Sequence, residues 1–362
     1  MSGFHLTGPV LVDDSTVLSE AWIEGDVLRL DEPARGGFEP VHGWALPGFV
    51  DVHCHVGLDA GGATDRELAL KQASADRDAG TLLIRDAGSP LDTSFVHGIA
   101  SAPRLIRAGR FIARPKRYLR GYAREIEVGD LPRVAAEEAR RSDGWIKLIA
   151  DWIDRDLGAD ADLTPLWPDD VLAEAVAAAH AEGARVTAHT FATESIDPLL
   201  AAGVDCVEHG TGMTREQMRR ATAAGLPVTP TLLQVSQFES FAAQGEAKFP
   251  RFAARMRAMY ERRYEQAKAF HEEGMQILVG TDAGSQIGHG SLPLEAAELV
   301  HAGIPAPVVV AAASWGTRKY LGVAGIAEGA SADVVVLDAD PREDITALAT
   351  PAAVILRGTR FV

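Results

Sequence analysis

Glu194-Ser195-Ile196-Asp197-Pro198-Leu199-Leu200-Ala201-Ala202-Gly203-Val204-Asp205-Cys206-Val207-Glu208-His209-Gly210 holds one complete structural unit. Residues 194–202 have helical apolar spacing, Gly203 is the left-handed stop expected just past a helix, and 205–208 is an apolar run of strand length. His209 then stands where the strand ends. The same punctuation recurs at Gly80, Gly183, Gly225 and Gly274, each closing a helix-period segment and feeding a strand. Helix and strand alternate, the pattern of βα units around a parallel sheet.

Outward from this unit, short buried strands are expected at 48–52, 81–85, 104–108, 145–149, 185–188, 205–208, 226–229 and 276–280. Helices are expected at 67–79, 131–141, 169–182, 194–202, 215–224, 249–273 and 292–300. Residues 46–320 come close to the ~250 residues typical of an eight-fold βα barrel. The chain ends read as β structure: 10–12, 17–23 and 27–30 at one end, 332–337 and 353–356 at the other. Each piece is too small to bury a core alone. The expected fold is therefore α/β, a (β/α)8 TIM barrel over 46–320 with a small discontinuous β-sandwich domain from 1–45 and 321–362. In the longest helix Phe249, Phe252, Met256, Met259, Tyr260 and Phe270 recur at spacings of three and four and are read as a core-facing stripe without chemistry.

Composition narrows the function. The 362 residues carry 35 basic and 51 acidic side chains, a net charge of −16. No general positive field is available to bind nucleic acid or an anionic membrane, so a small-molecule substrate is expected. The two cysteines, Cys54 and Cys206, cannot form a disulfide framework, and the start of the chain has no basic segment followed by an apolar one; a cytoplasmic location is expected. The stretch 304–313 contains two prolines and is too short to span a bilayer.

In a βα barrel the chemistry lies where strands end. The first strand ends Asp51-Val52-His53-Cys54-His55, and its two-residue period puts both imidazoles on one side and Cys54 on the other. The fourth strand buries Lys147 among apolar neighbours, although the chain has only six lysines. A buried ammonium is costly, whereas a carboxylated lysine carries two oxygens able to bridge two cations. The fifth and sixth strands end at His189 and His209, and the eighth runs through Val279-Gly280-Thr281 into Asp282. Converging imidazoles and a carboxylate suit a divalent cation such as Zn²⁺, without excluding manganese or cobalt.

On Pro47-Gly48-Phe49-Val50-Asp51-Val52-His53-Cys54-His55, Lys147, His189, Val207-Glu208-His209-Gly210-Thr211 and Gly280-Thr281-Asp282-Ala283-Gly284, the sequence resembles the amidohydrolase superfamily of metal-dependent hydrolases. The likeness extends over nearly the whole chain and is nearest the branch of prolidase-like dipeptidases and imidazolonepropionase-related proteins. The resemblance implies one metal on His53, His55 and Asp282, a second on His189 and His209, and carboxylated Lys147 as the bridge. Such dipeptidases often carry Gly-Gly-His after the third strand; here Arg110 to Arg124 contains no histidine. The segment 104–124 holds eight basic residues and no acid. Arg117, Tyr118, Arg120 and Tyr122 are its candidate substrate contacts, with a solvated loop or a contact in a homo-oligomer as the other reading. His289, between two glycines after Asp282, is a further candidate contact. Arg85 and Asp86 are read as an internal ion pair.

Two cations sharing a water would lower its pKa from 15.7 toward about 7 and supply a bridging hydroxide, with Asp282 as proton carrier. The expected activity is a binuclear hydrolase cleaving the amide of a small carboxylate-bearing molecule, a dipeptide or N-acyl amino acid. A mononuclear deaminase or cyclic amide or lactone hydrolase is the second reading, and a non-catalytic scaffold the third.

Overall fold

A computed structural model describes residues 3–34 and 36–362; Met1, Ser2 and Arg35, which fall in the expected 1–45 segment, lie outside the described residues. The fold is α/β, with mixed sheets and helices in alternation along most of the chain.

The two chain ends meet in one eight-stranded sheet. Strands Gly3–Leu11, Val17–Glu24, Val27–Arg29, Glu39–His42 and Trp44–Pro47 join Val334–Leu337, Ala353–Leu356 and Thr359–Arg360, and the first and last parts touch where Trp44–Pro47 runs antiparallel to Val334–Leu337. Period-2 alternation gives this sheet two apolar faces. Leu6, Ile23, Leu28, Val334, Val336 and Ile355 form a core of their own. Leu46, Val335, Leu337, Val354 and Leu356 face the opposite way, into the large core of the rest of the chain. The edge strand Val27–Arg29 curls back until the Leu28 amide donates to Ala330 O at 2.8 Å.

Trp44–Pro47 leads directly into Phe49–Asp51, the first of a circuit of parallel strands. Phe49–Asp51 pairs with Thr81–Asp86, which pairs with Arg104–Arg107. Trp145–Ile149, Arg185–Thr190, Cys206–His209 and Val228–Thr229 pair in sequence order. The Asp143 amide donates to Arg107 O at 2.9 Å, linking the two groups. The expected eighth strand at 276–280 is not a regular strand. It is held by a few main-chain bonds, Val228 N to Gln276 O at 3.0 Å and Leu278 N to Val228 O at 2.9 Å on one side and Val52 N to Val279 O at 3.0 Å on the other.

Helices Arg66–Asp78, Leu131–Arg141, Asp169–Ala181, Ile196–Ala202, Arg215–Ala223 and Leu292–His301 fall where the periodicity predicts them. The long 249–273 segment does not run as one helix. It divides into Pro250–Glu261 and Arg263–Glu272 at Arg262, whose guanidinium donates to Thr211 O at 2.8 Å. Short helices at Leu232–Val235, Phe238–Gly245, Ala306–Ala313 and Trp315–Leu321, and the antiparallel pair Asp151–Ile153 with Leu163–Pro165, were not expected. Among the described residues no helix is long and apolar enough to cross a membrane.

Candidate metal centre

Six side chains from five strand ends converge. His53 and His55 follow the first strand, Lys147 lies in the fourth, His189 near the end of the fifth, His209 at the end of the sixth, and Asp282 beyond the irregular eighth. His55 Nε2 is 3.0 Å and His53 Nε2 3.3 Å from Asp282 Oδ1; Lys147 Nζ is 3.4 Å from His53 Nε2; His189 Nδ1 is 3.0 Å from His209 Nε2.

The far sides of the rings explain this convergence. His53 Nδ1 lies 2.8 Å from Glu208, His55 Nδ1 is 2.6 Å from Gly88 O, and His209 Nδ1 is 2.6 Å from Thr231 Oγ1. With one nitrogen of each ring fixed by a polar group, the other faces the common centre, the usual arrangement behind a metal-ligating imidazole. The carboxylate behind His53 is itself clamped: Glu208 is fully buried, pairs with Arg85 Nη1 at 2.8 Å and accepts from Thr187 Oγ1. Arg85 thus pairs with Glu208 rather than with Asp86. Asp86 instead accepts from the Val56 and Gly88 amides, at 2.8 and 2.7 Å.

The backbone supports the geometry at a cost. His209, Thr231 and Asp282 have φ of 66°, 50° and 58°. Left-handed backbone on residues other than glycine is strained and concentrates at functional sites. Around Asp282 two glycines are required. A Cβ on Gly280 would lie 2.6 Å from His53 Cβ, and one on Gly284, at φ 133°, would lie 2.8 Å from His55 Cβ.

Electrostatics match a cation site. Burial and the neighbouring His209 hold His189 well below the ordinary histidine value, and burial and His53 do the same for His209; both rings are neutral at pH 7. Burial lowers the Lys147 ammonium to about 8, against the pull of Glu208 and Asp282. Burial raises Asp282, but His53 and His55 outweigh it and keep the carboxylate ionised. Burial and Lys147 depress His53, and Glu208 with Asp282 carries it back above its ordinary value. Ligand atoms of His53, His209 and Asp282 lie within 4.8 Å of one another, and His189 Nε2 is buried with no hydrogen-bond partner among the described residues. Shared ligand spacing, neutral imidazoles and an orphaned ring nitrogen fit divalent metal.

A cavity of about 520 Å³ opens onto His55, His189 and Asp282. Tyr118 and Tyr122 line it; Tyr118 also packs edge-on to His189, and Tyr122 Oη donates to Asp59 O at 2.8 Å. Three other expected contacts stand elsewhere. Arg117 is paired with Asp154 at 2.6 Å, Arg120 is exposed outside the cavity lining, and His289 is bonded to Asp76 at 2.7 Å behind the first strand. Half of the eight basic side chains of the 104–124 segment are paired with carboxylates elsewhere in the chain, as Arg107 is with Asp143 and Arg124 with Glu137 and Glu138. The stripe read as outer-helix core is corrected in part, because Phe249, Phe252 and Met256 line the cavity. Sequence reasoning missed Trp152, Phe191, Arg155 and Lys248, which also line it. Trp152 and Phe191 lie just beyond the fourth and fifth strands, a position that would have marked them.

The amidohydrolase family model matches residues 44–360. An uncharacterized protein of Mycobacterium tuberculosis is 44% identical over 358 residues, covering 99% of this chain and 95% of that protein. Among solved structures, a Xaa-Pro dipeptidase with methionine bound in its active site superposes with a TM-score of 0.83 at 21% identity, covering 99% of this chain and 100% of that one. A putative prolidase from Bifidobacterium longum gives a TM-score of 0.83 at 21% identity, with 99% and 94% covered. At that identity the two structures establish a shared fold.

Proposed function

The chain belongs to the amidohydrolase family, and from that premise we propose that it is a binuclear, zinc-dependent hydrolase of the amide bond in a small molecule bearing a carboxylate and a bulky apolar group. The observation that carries this reading is the convergence of His53, His55, Lys147, His189, His209 and Asp282 at the floor of an aromatic-lined cavity. We take the circuit of parallel strands as a (β/α)8 barrel over 46–320 and the eight-stranded sheet as a domain built from both chain ends.

His53, His55 and Asp282 would hold one ion, His189 and His209 the other, and Lys147, carboxylated on Nζ, would bridge them. The partly deprotonated amine of Lys147 is the form that reacts with CO₂. Bound divalent cations would polarise the scissile carbonyl and lower the pKa of water. Asp282, ionised and at the cavity floor, accepts the proton of the attacking water and returns it to the leaving nitrogen as the C–N bond breaks, giving a carboxylic acid and an amine. Trp152 Nε1 is buried with no hydrogen-bond partner among the described residues and supplies a donor for a substrate oxygen. Arg155 and Lys248 are exposed cavity-lining cations with no ion pair among the described residues, and are the groups available to a substrate carboxylate.

Zinc-loaded protein should cleave N-acyl amino acids with aromatic acyl groups in preference to acetyl ones, read as amine release. Equal or reversed preference would contradict an acyl pocket formed by the cavity-lining Phe191, Phe249 and Phe252. Trp152→Phe should lower kcat/KM about 10-fold at unchanged metal content, the effect of losing one hydrogen bond to substrate. Lys147→Ala should reduce metal from two per chain to one or fewer; full two-metal occupancy in that variant would contradict the bridging role.

A further inference from the structure

Behind the first strand, on the side away from the cavity, lies a second group of metal-binding side chains. Strand alternation turns Cys54 opposite to His53 and His55, and Cys54 is fully buried. Facing it are Asp76, on helix Arg66–Asp78, and His289, in the segment after Asp282; one ligand atom from each of the three lies within 4.8 Å of the others. The side chains of His289 and Asp76 are 5% and 2% exposed.

His289 and Asp76 meet at 2.7 Å through Nδ1 and Oδ2, while Asp76 Oδ1 accepts from the Gly290 amide at 2.7 Å. That leaves His289 Nε2 buried with no hydrogen-bond partner among the described residues, a costly state for a ring nitrogen. Asp51, Asp76 and Asp86 are all buried beside this group, and the guanidinium of Arg85 is committed to Glu208. Thiolate, imidazole and carboxylate together are a ligand set for Zn²⁺.

We propose that Cys54, Asp76 and His289 form a third, structural site for a zinc-class divalent cation. The ion ties the first strand, helix Arg66–Asp78 and the segment following Asp282 into one unit, and so braces His53, His55 and Asp282 from behind. The site is independent of the hydrolytic reading, because none of its ligands belongs to the catalytic set.

Cobalt reports on the site directly, since a thiolate–Co²⁺ charge-transfer band in the near ultraviolet requires a sulfur ligand and the six catalytic side chains contain none. Protein produced in Co²⁺-supplemented medium should show this band and one more equivalent of metal than Cys54→Ser. The band should persist in Cys206→Ser, whose thiol lies near Arg85 and Thr229. His289→Ala should lose the band while its far-ultraviolet circular dichroism stays native. Absence of the band in wild-type protein that holds Co²⁺, or its survival in Cys54→Ser, would overturn the proposal. A band at one metal per chain would uphold it while contradicting the binuclear centre.

Discussion

Asp282→Asn should lower kcat/KM for the cleaved amide by roughly 10²- to 10⁴-fold, the range for loss of a positioned proton carrier. The fold should survive. Asparagine is nearly isosteric and tolerates the left-handed φ of 58° found at this position. The main-chain bond from Asp282 N to His53 O, at 2.5 Å, does not involve the side chain. What changes is the carboxylate that faces His53 Nε2 and His55 Nε2 and whose ionisation those rings maintain. Steady-state kinetics beside a melting curve checks this. A variant within 10-fold of wild type at an unchanged melting temperature would remove Asp282 from proton transfer.

The second large effect is on stability. Arg85→Ala should cost about 3–5 kcal/mol, because it leaves Glu208 as an uncompensated buried charge. Arg85 and Glu208 are both fully buried and 2.8 Å apart. Burial alone would raise the Glu208 carboxyl, and Arg85 and His53 instead hold it well below its ordinary value. For a chain of this length such a loss corresponds to ~4–7 °C in melting temperature. Arg85→Met combined with Glu208→Gln should recover part of that loss, since the pair is then removed together. Metal affinity should fall in both variants, because Glu208 orients His53. An unchanged melting temperature in Arg85→Ala would show that Glu208 is stabilised by other groups.

The strand ends were legible because burial writes them plainly. An apolar run of strand length that stops at His189, His209 or Asp282 has a polar side chain where a core residue would continue. The alternation in His53-Cys54-His55 likewise separates the two faces that the structure shows. The irregular eighth strand was less legible, since its apolar sequence reads the same with a few ladder bonds or with many. Periodicity failed at the stripe from Phe249 to Met256, which records that a face avoids water but not whether it covers a core or a cavity. The pairing of Arg85 with Glu208 was hidden for a different reason. Arg85 has an acidic neighbour in sequence, and only the closeness of the second and sixth strand interiors shows that its partner comes from elsewhere. Trp152 belongs to a hairpin with Leu163–Pro165, and nothing in its local sequence announces an indole nitrogen with no hydrogen-bond partner among the described residues.

The central claim, hydrolytic cleavage of an amide at this centre, is tested most directly by mass spectrometry. Zinc-loaded protein would be incubated with a pool of dipeptides, N-acyl amino acids, lactones and cyclic amidines, with Asp282→Asn as the control. The account predicts that a carboxylate-bearing amide with a bulky apolar group splits into two fragments whose masses sum to the parent plus one water, and that the control shows neither fragment. Loss of ammonia, or gain of water without fragmentation, would contradict it.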